Sequence, residues 1–222
     1  MNDKEIPLFN KDRDRFYKRM SNEQHVMFDS ILEVPFTFVE AKAGSGKTTV
    51  AFAAGVDMLA NGVISKIIYI IKPSKRSYAN GYLPGDLEQK TAQLYYAAYD
   101  ALEVLGFSQR DIQALINTEQ VMLITDNNLR GVNLMDCLVI IDEGQNMGVS
   151  DLRLVLTRIH DDSKCVLLGD SRQSDNPGDK EHCFVDYGNY MVEHIGRKVE
   201  LTRNFRGRLS KIAEEYEPRE GD

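Results

Sequence analysis

The feature that constrains this chain most is a glycine-rich turn between an extended apolar run (36–39) and a helix-forming run (50–54). The turn reads Glu40-Ala41-Lys42-Ala43-Gly44-Ser45-Gly46-Lys47-Thr48-Thr49. Glycines let backbone N–H groups close round a polyphosphate, and a helix start adds the positive end of its dipole. A strand, this turn and a helix in that order predict a phosphate-binding loop, so we expect the chain to bind a nucleoside triphosphate.

Within this loop, Lys47 is expected to reach the β- and γ-phosphates, and the Thr48 hydroxyl to bind Mg²⁺. One position departs from the usual pattern, because Ala41 stands where the first glycine is expected. The residues expected to contact the nucleotide here are Ala43, Gly44, Ser45, Gly46, Lys47, Thr48 and Thr49.

The size and charge of the chain limit its class. Its 222 residues, 42% of them hydrophobic, suit one α/β domain with a sizeable core. A net charge of −7 argues against a protein that coats nucleic acid by bulk charge, while leaving room for a local basic patch. No apolar run approaches the roughly 18 residues of a membrane span, so we expect a soluble, cytoplasmic protein.

The order of the remaining elements follows from apolar periodicity. We expect a charged arm or surface helix at 1–20, an NTPase domain at 21–217 and a polar tail at 218–222. Ser21 is expected to cap the first domain helix, and residues 174–179 are expected to be loop. Asp179, Glu181, His182 and Cys183 resemble a metal cluster, but without a second pair of ligands the interpretation is that 181–183 are also loop. Cys137, Cys165 and Cys183 are odd in number, and the first two suit buried free thiols. The predicted strands are 36–39, 66–71, 121–124, 137–141, 164–168 and 198–201, and the predicted helices include 87–105, 108–116, 151–160 (capped by residue 150 or 151) and 209–216.

A second strong feature is the acidic pair at the end of the apolar run 137–141. A buried parallel strand tolerates carboxylates at its C-terminal end, where the sheet opens towards ligand. Asp142 can hold Mg²⁺ there, directly or through water, and Glu143 can deprotonate the water that attacks the γ-phosphate. The alternative is an ordinary helix cap, which the phosphate-binding loop in the same chain disfavours.

Other strand ends carry further candidates. Gln173 follows the run 164–168 and is placed to sense the γ-phosphate. Three arginines follow the last strand, Arg203, Arg206 and Arg208. They are candidates for an arginine that stabilises the transition state, or they form a solvated basic turn. Gln24, upstream of the loop, can offer its amide edge to adenine or simply face solvent.

The segment 74–86 combines Lys75, Arg76, Tyr78 and Tyr82 with glycines at a strand end. Basic residues interleaved with aromatic ones suit a single strand of nucleic acid, through phosphate contacts and base stacking. An ordered surface loop or a subunit contact fits the same residues equally well.

Taken together, these motifs resemble those of PhoH-like ATPases, a family related to the first motor domain of superfamily 1 helicases. The resemblance covers about residues 21–216. The block Leu83-Pro84-Gly85-Asp86-Leu87-Glu88 is specific to that family, whereas the phosphate loop and Asp142-Glu143 are general. Further matches are Leu129-Arg130-Gly131, Leu156-Thr157-Arg158-Ile159, and Gly169-Asp170 with Gln173.

The resemblance implies a single RecA-like P-loop NTPase domain: α/β, with a mostly parallel sheet and helices on both faces. It implies that Gln24 binds adenine, that Lys47, Thr48 and Asp142 bind phosphate and Mg²⁺, and that Glu143 is the catalytic base. Gln173 would couple the γ-phosphate to movement. Residues 201–206 are similar to a helicase pattern that would make Arg206 the phosphate-contacting arginine, with Arg203 as the competing candidate. Lys72 and Gly144 depart from the family's usual arginine and alanine.

We therefore expect a Mg²⁺-dependent ATPase that uses ATP and acts on single-stranded nucleic acid, RNA in preference to DNA. One motor domain leaves an ATP site of the helicase type open, so we expect a homo-oligomer, which the resemblance makes a hexameric ring. The alternative is a slow nucleotide-dependent switch or assembly factor that acts on a protein partner.

Overall fold

The computed structural model describes residues 11–72, 95–125, 129, 131–173 and 181–214. The helices in this part of the chain are α1 (Lys11–Tyr17), α2 (Asn22–Glu33), α3 (Lys47–Ala60), α4 (Tyr96–Val104), α5 (Gln109–Asn117), α6 (Val149–Leu156), α7 (Glu181–Ile195) and α8 (Arg208–Glu214). The strands are β1 (Phe36–Ala41), β2 (Lys66–Ile71), β3 (Val121–Thr125), β4 (Cys137–Asp142), β5 (Lys164–Gly169) and β6 (Gly196–Leu201). Short 3₁₀ turns occupy Gly144–Asn146 and Ser171–Gln173.

The six strands form one sheet in the order β3-β2-β4-β5-β1-β6, and every pairing is parallel. Parallel strands present their carboxyl ends at the same edge of the sheet. The phosphate-binding loop after β1, the acidic pair at the end of β4 and the turn after β5 therefore meet at one edge. Strand β5 lies between β1 and β4 and sets the lateral distance between the loop and the acidic pair.

Two buried layers cover the faces of the sheet. On one face, α2, α3 and α4 pack against strand residues that include Tyr69, and Phe52 belongs to α3. On the other face, α6 and α7 pack against strand residues that include Phe38, and Phe184 belongs to α7. Burial on both sides explains why the strands are continuous apolar runs rather than alternating ones. The predicted α/β fold with helices on both faces is confirmed.

The start of the described chain packs onto the domain. Helix α1 lies within the region predicted to be an arm or surface helix, and Phe16 packs against the core. Met20 is buried. The predicted cap of α2 is confirmed, because the Ser21 hydroxyl accepts from the Gln24 backbone N–H. Residues 1–10 and the predicted tail lie outside the described residues.

Two predictions about the second half of the chain are wrong. Residues 181–183, predicted as loop, begin α7, which packs so close to β1 that a Cβ on Gly188 would lie 2.7 Å from the Phe38 ring. Helix α6 begins at Val149 and ends at Leu156, not at 151 and 160. Its N-cap is Gly148, whose N–H donates to Asp151, so Asp151 supports the cap from inside the first turn.

The cysteines follow the prediction. Cys137 and Cys165 are buried free thiols on β4 and β5, and Cys183 is a half-buried free thiol. Burial raises the pKa of both strand thiols, which keeps them protonated and unreactive. In the parts of the chain that the structure describes, no helix has the length and apolar character needed to cross a membrane.

Candidate active site

The phosphate-binding loop combines two left-handed glycines with an uncapped helix start. Gly44 has φ +70° and Gly46 has φ +77°, a backbone region in which glycine avoids the Cβ clash of other residues. Gly46 is the N-cap of α3 and provides no side-chain cap, so the first N–H groups of the helix stay available to an anion. The Ser45 hydroxyl is buried without a hydrogen-bond partner. These features fit a bound polyphosphate.

Gln24 braces this loop from α2. Its carboxamide Nε2 donates to the Ser45 carbonyl at 2.9 Å, and its Oε1 accepts from the Ser21 backbone N–H at 2.9 Å. The side chain also fills the space beside Gly46, where an added Cβ would lie 2.9 Å from Nε2. The alternative that Gln24 faces solvent is wrong, because the residue is buried and its side chain bonds the loop, a contact that the sequence did not predict. Its contact with adenine stays a prediction.

The segment after β6 packs on the loop from the other side. The Phe205 N–H donates to the Gly44 carbonyl at 2.9 Å. The aliphatic stem of Arg206 lies so close to Gly44 that an added Cβ would be 2.7 Å from its Cγ. Buried Asn204 accepts from the Arg206 N–H at 2.8 Å. Arg206 therefore extends from the edge of the phosphate-binding loop of its own chain.

The two arginine candidates separate clearly. The Arg203 guanidinium lies 5.0 Å from the centre of the Phe205 ring, whereas the Arg206 stem contacts the loop glycine. Both side chains are exposed. The contact with Gly44 favours Arg206 as the residue that reaches phosphate.

Asp142 lies at the carboxyl end of β4, opposite the start of α3. Its Oδ2 accepts from the Thr48 hydroxyl at 2.8 Å and from the Tyr69 hydroxyl at 3.0 Å, and its Oδ1 accepts from the Glu143 N–H at 2.8 Å. The carboxylate is almost fully buried. Sequence reasoning missed Tyr69; the signal was a lone tyrosine in an otherwise aliphatic strand.

Glu143 has an unusual backbone and a supported side chain. Its φ of +53° lies in the left-handed region, which turns the chain sharply after β4. Its Oε2 accepts from Gln145 Nε2 at 2.5 Å, and Gln145 Oε1 accepts from the Asp170 N–H at 3.1 Å. Burial raises the pKa of Glu143, the Asp142 charge adds to this effect, and Lys47 opposes it. A carboxyl group with a raised pKa suits a general base near neutral pH.

Gln173 follows β5 at the same sheet edge. It ends the 3₁₀ turn, is exposed, and donates its backbone N–H to the Asp170 carbonyl at 3.0 Å. The buried Asp170 carboxylate pairs with Arg172 at 3.2 Å. Gln173 therefore shares the edge with the loop and the acidic pair, and Gln145, which sequence reasoning missed, links the Asp170 backbone to Glu143.

The oxygen ligands present suit Mg²⁺ without a dedicated protein cage. In the described part of the chain, no three His, Cys, Asp or Glu side chains converge as a metal cluster. Mg²⁺ usually keeps several waters and binds through one or two carboxylates plus substrate phosphates. The Asp142 carboxylate beside the Thr48 hydroxyl fits that mode. The segment 74–86, the predicted nucleic-acid contact, lies outside the described residues.

Comparison with known proteins shows which family the chain resembles in sequence. A family model described as PhoH-like protein matches residues 17–204. The chain is 32% identical over 213 residues to Protein PhoH2 of Bacillus subtilis, covering 88% of this chain and 46% of that protein. It is 36% identical over 136 residues to a PhoH-like protein of Bacillus subtilis, covering 61% of this chain and 42% of that protein. The chain thus spans less than half the length of these relatives.

The fold is similar to that of a solved helicase domain. The crystal structure of the Pyrococcus furiosus Hef helicase domain superposes with a TM-score of 0.51 at 15% identity, covering 85% of this chain and 38% of that one. At this identity the likeness concerns the fold, and it agrees with a P-loop domain of the RecA-like type.

Proposed function

The chain belongs to the PhoH-like protein family, and we propose that it is a Mg²⁺-dependent ATPase coupled to single-stranded nucleic acid. The family and the helicase-like P-loop fold indicate a nucleotide-binding NTPase. The observation that carries the ATPase part of this proposal is the 2.8 Å hydrogen bond between Thr48 and Asp142, which joins the phosphate loop to the acidic pair across β5.

The chain's own residues divide the work of phosphate binding. N–H groups of residues 43–49 and the Lys47 ammonium would hold the phosphates, while Thr48 and Asp142 would hold Mg²⁺. When bound, the ion neutralises charge on the β- and γ-phosphate oxygens. Arg206 would add positive charge at the γ-phosphate from its position against Gly44, with Arg203 at the rim.

Glu143 would take the proton of the attacking water. Gln145 fixes the orientation of the Glu143 carboxylate. The raised pKa of Glu143 makes this carboxylate a stronger base than that of an exposed glutamate. Gln173, at the end of β5, would contact the γ-phosphate and register its loss after hydrolysis. Phosphoryl transfer depends mainly on positioning and charge stabilisation, which these groups supply.

Adenine recognition would fall to Gln24. Its amide already bonds the Ser45 carbonyl and the Ser21 N–H. A carboxamide has a second N–H and a second acceptor site, so it can meet the donor and acceptor edge of adenine without giving up either bond. Gln24 would then join the base, the α2 cap and the phosphate loop.

The partner we propose is single-stranded RNA in preference to DNA, bound by the segment around residues 76–82. The chain would act as a homo-oligomer, with a hexameric ring as the expected form. Sedimentation tests the assembly: a strict monomer with full ATPase activity would contradict it.

Steady-state ATPase assays with single-stranded RNA, single-stranded DNA or no polynucleotide test the coupling. We expect RNA to stimulate turnover most, and the stimulation to weaken as salt rises, because phosphate contacts release counterions. Lys47→Ala is the control for contaminating ATPases. Turnover that no polynucleotide changes would reject nucleic-acid coupling and favour the switch that acts on a protein partner.

A further inference from the structure

Tyr69 is a fully buried tyrosine in the middle of β2 whose hydroxyl donates to Asp142 at 3.0 Å. Its backbone pairs with Ile140, two residues before Asp142 on β4. The ring therefore runs along the sheet from the level of Ile140 to the carboxylate. The neighbouring residues Ile67, Ile68 and Ile70 are aliphatic and equally buried.

Packing fixes the position of this hydroxyl. The Tyr69 ring centre lies 5.6 Å from that of Phe52 and 6.3 Å from that of Tyr95. A carboxylate oxygen can only accept, so the Tyr69 hydroxyl is the donor in its hydrogen bond to Asp142.

We propose that Tyr69 is a positioning residue that sets the orientation of the Asp142 carboxylate for Mg²⁺. This inference rests on the proposed function. Asp142 Oδ2 accepts from both Thr48 and Tyr69. Metal binding would turn the Thr48 oxygen towards the ion, whereas the phenol is anchored in the core and can keep its donation unchanged.

The expected effect is on metal affinity rather than on the chemical step. Loss of a hydrogen-bond partner behind a metal ligand typically weakens metal binding by about 10- to 100-fold. Tyr69→Phe removes only the hydroxyl and leaves the ring contacts in place. We expect it to raise the dissociation constant for Mn²⁺ about tenfold, while kcat at saturating Mg²⁺ changes much less.

The experiment measures Mn²⁺ binding to the full chain in the presence of ADP, by electron paramagnetic resonance of free Mn²⁺. Tyr99→Phe is the matched control, because Tyr99 lies on α4 and packs against the same core as Tyr69. Tyr69→Met is a second variant without the hydroxyl, since methionine fills irregular core space, should the phenylalanine variant fold poorly. The Mg²⁺ dependence of ATP turnover is measured on the same proteins.

Weaker Mn²⁺ binding in the Tyr69 variants, but not in Tyr99→Phe, supports the proposal. In an Asp142→Asn background the Tyr69 substitution should cause no further loss of Mn²⁺ affinity. Equal Mn²⁺ affinity in folded wild type and Tyr69→Phe overturns it, as does an equal loss in Tyr99→Phe. A lower thermal midpoint with unchanged metal dependence also overturns it, because it reveals a purely structural role. If the wild type binds no Mn²⁺ in the presence of ADP, both the role of Tyr69 and the proposed function are contradicted.

Discussion

The phosphate-binding loop and the acidic pair lie at the same sheet edge but are held in place by different means. The loop depends on backbone geometry at Gly44 and Gly46, and on two distant segments, through Gln24 and Phe205, that bond its carbonyls. The acidic pair depends on buried side chains from neighbouring strands and turns.

This difference affects how each part responds to change. A glycine loop offers N–H groups whose positions follow from backbone dihedrals, so damage to it should weaken nucleotide binding. The acidic pair bears buried charge, which costs free energy and raises the pKa of Glu143. Damage to the pair should alter turnover and stability more than binding.

The largest expected effect separates the two parts directly. Glu143→Gln should lower kcat by up to about 10⁴-fold, since it removes the general base, while ADP affinity is retained. Lys47→Ala should lose nucleotide affinity as well, because it removes a phosphate contact. Turnover and ADP titration on both variants check this. Comparable loss of ADP binding in Glu143→Gln would remove the distinction.

The same variant makes a pH prediction. Because the pKa of Glu143 is raised on folding, the folded chain holds that proton more tightly than the unfolded chain does. The contribution of Glu143 to the stability of the wild type therefore falls as pH rises from about 4.3 through the raised folded pKa. The thermal midpoint of Glu143→Gln should exceed that of the wild type increasingly over that window. A difference in thermal midpoint that stays constant with pH would mean that Glu143 is not the group that titrates over this window.

Sequence could predict the loop better than its supports, for a physical reason. The loop is one contiguous segment whose glycines and helix start are local, so its pattern specifies its geometry. Tyr69 and Gln145 act through contacts across strands and turns, which depend on strand order. Helix α7 was not predicted, because its sequence contains Gly188, which weakens a helical pattern. The close contact of Gly188 with Phe38 of β1 depends on the tertiary fold.

A smaller effect tests which arginine serves the loop. Arg206→Ala should lower kcat on the order of 10³-fold, the lower end for an arginine that stabilises phosphoryl transfer. Arg203→Ala is the matched control, because it removes an exposed arginine from the same segment and should change kcat only slightly. Equal losses of kcat in the two variants would leave Arg203 and Arg206 as equal candidates for the phosphate-contacting arginine. Arg206→Ala subunits that lose all ATPase activity can also be mixed with an excess of wild-type subunits. Recovery of activity by the variant subunits would place Arg206 in the ATP site of a neighbouring protomer.

The smallest expected effect isolates the close contact at the loop from backbone strain. The two glycines substituted in Gly44→Ala and Gly62→Ala have nearly the same φ, +70° and +66°. Each should cost about 1 kcal/mol of unfolding free energy, because alanine is strained in the left-handed region. Only at Gly44 would the new Cβ also meet neighbours, at 2.7 Å from Arg206 Cγ and 2.8 Å from Asn204 Oδ1; nothing lies within 4 Å at Gly62.

Gly44→Ala should therefore cost about 1–3 kcal/mol more than Gly62→Ala in urea unfolding, the range for overpacking. It should also weaken ADP binding, which Gly62→Ala should leave unchanged. Equal stability losses would mean that the Arg206 stem moves aside freely, and the segment after β6 would then be a loose neighbour of the loop. A larger loss at Gly44 makes that segment part of the loop's rigid frame, as firmly as Tyr69 and Gln145 frame the acidic pair.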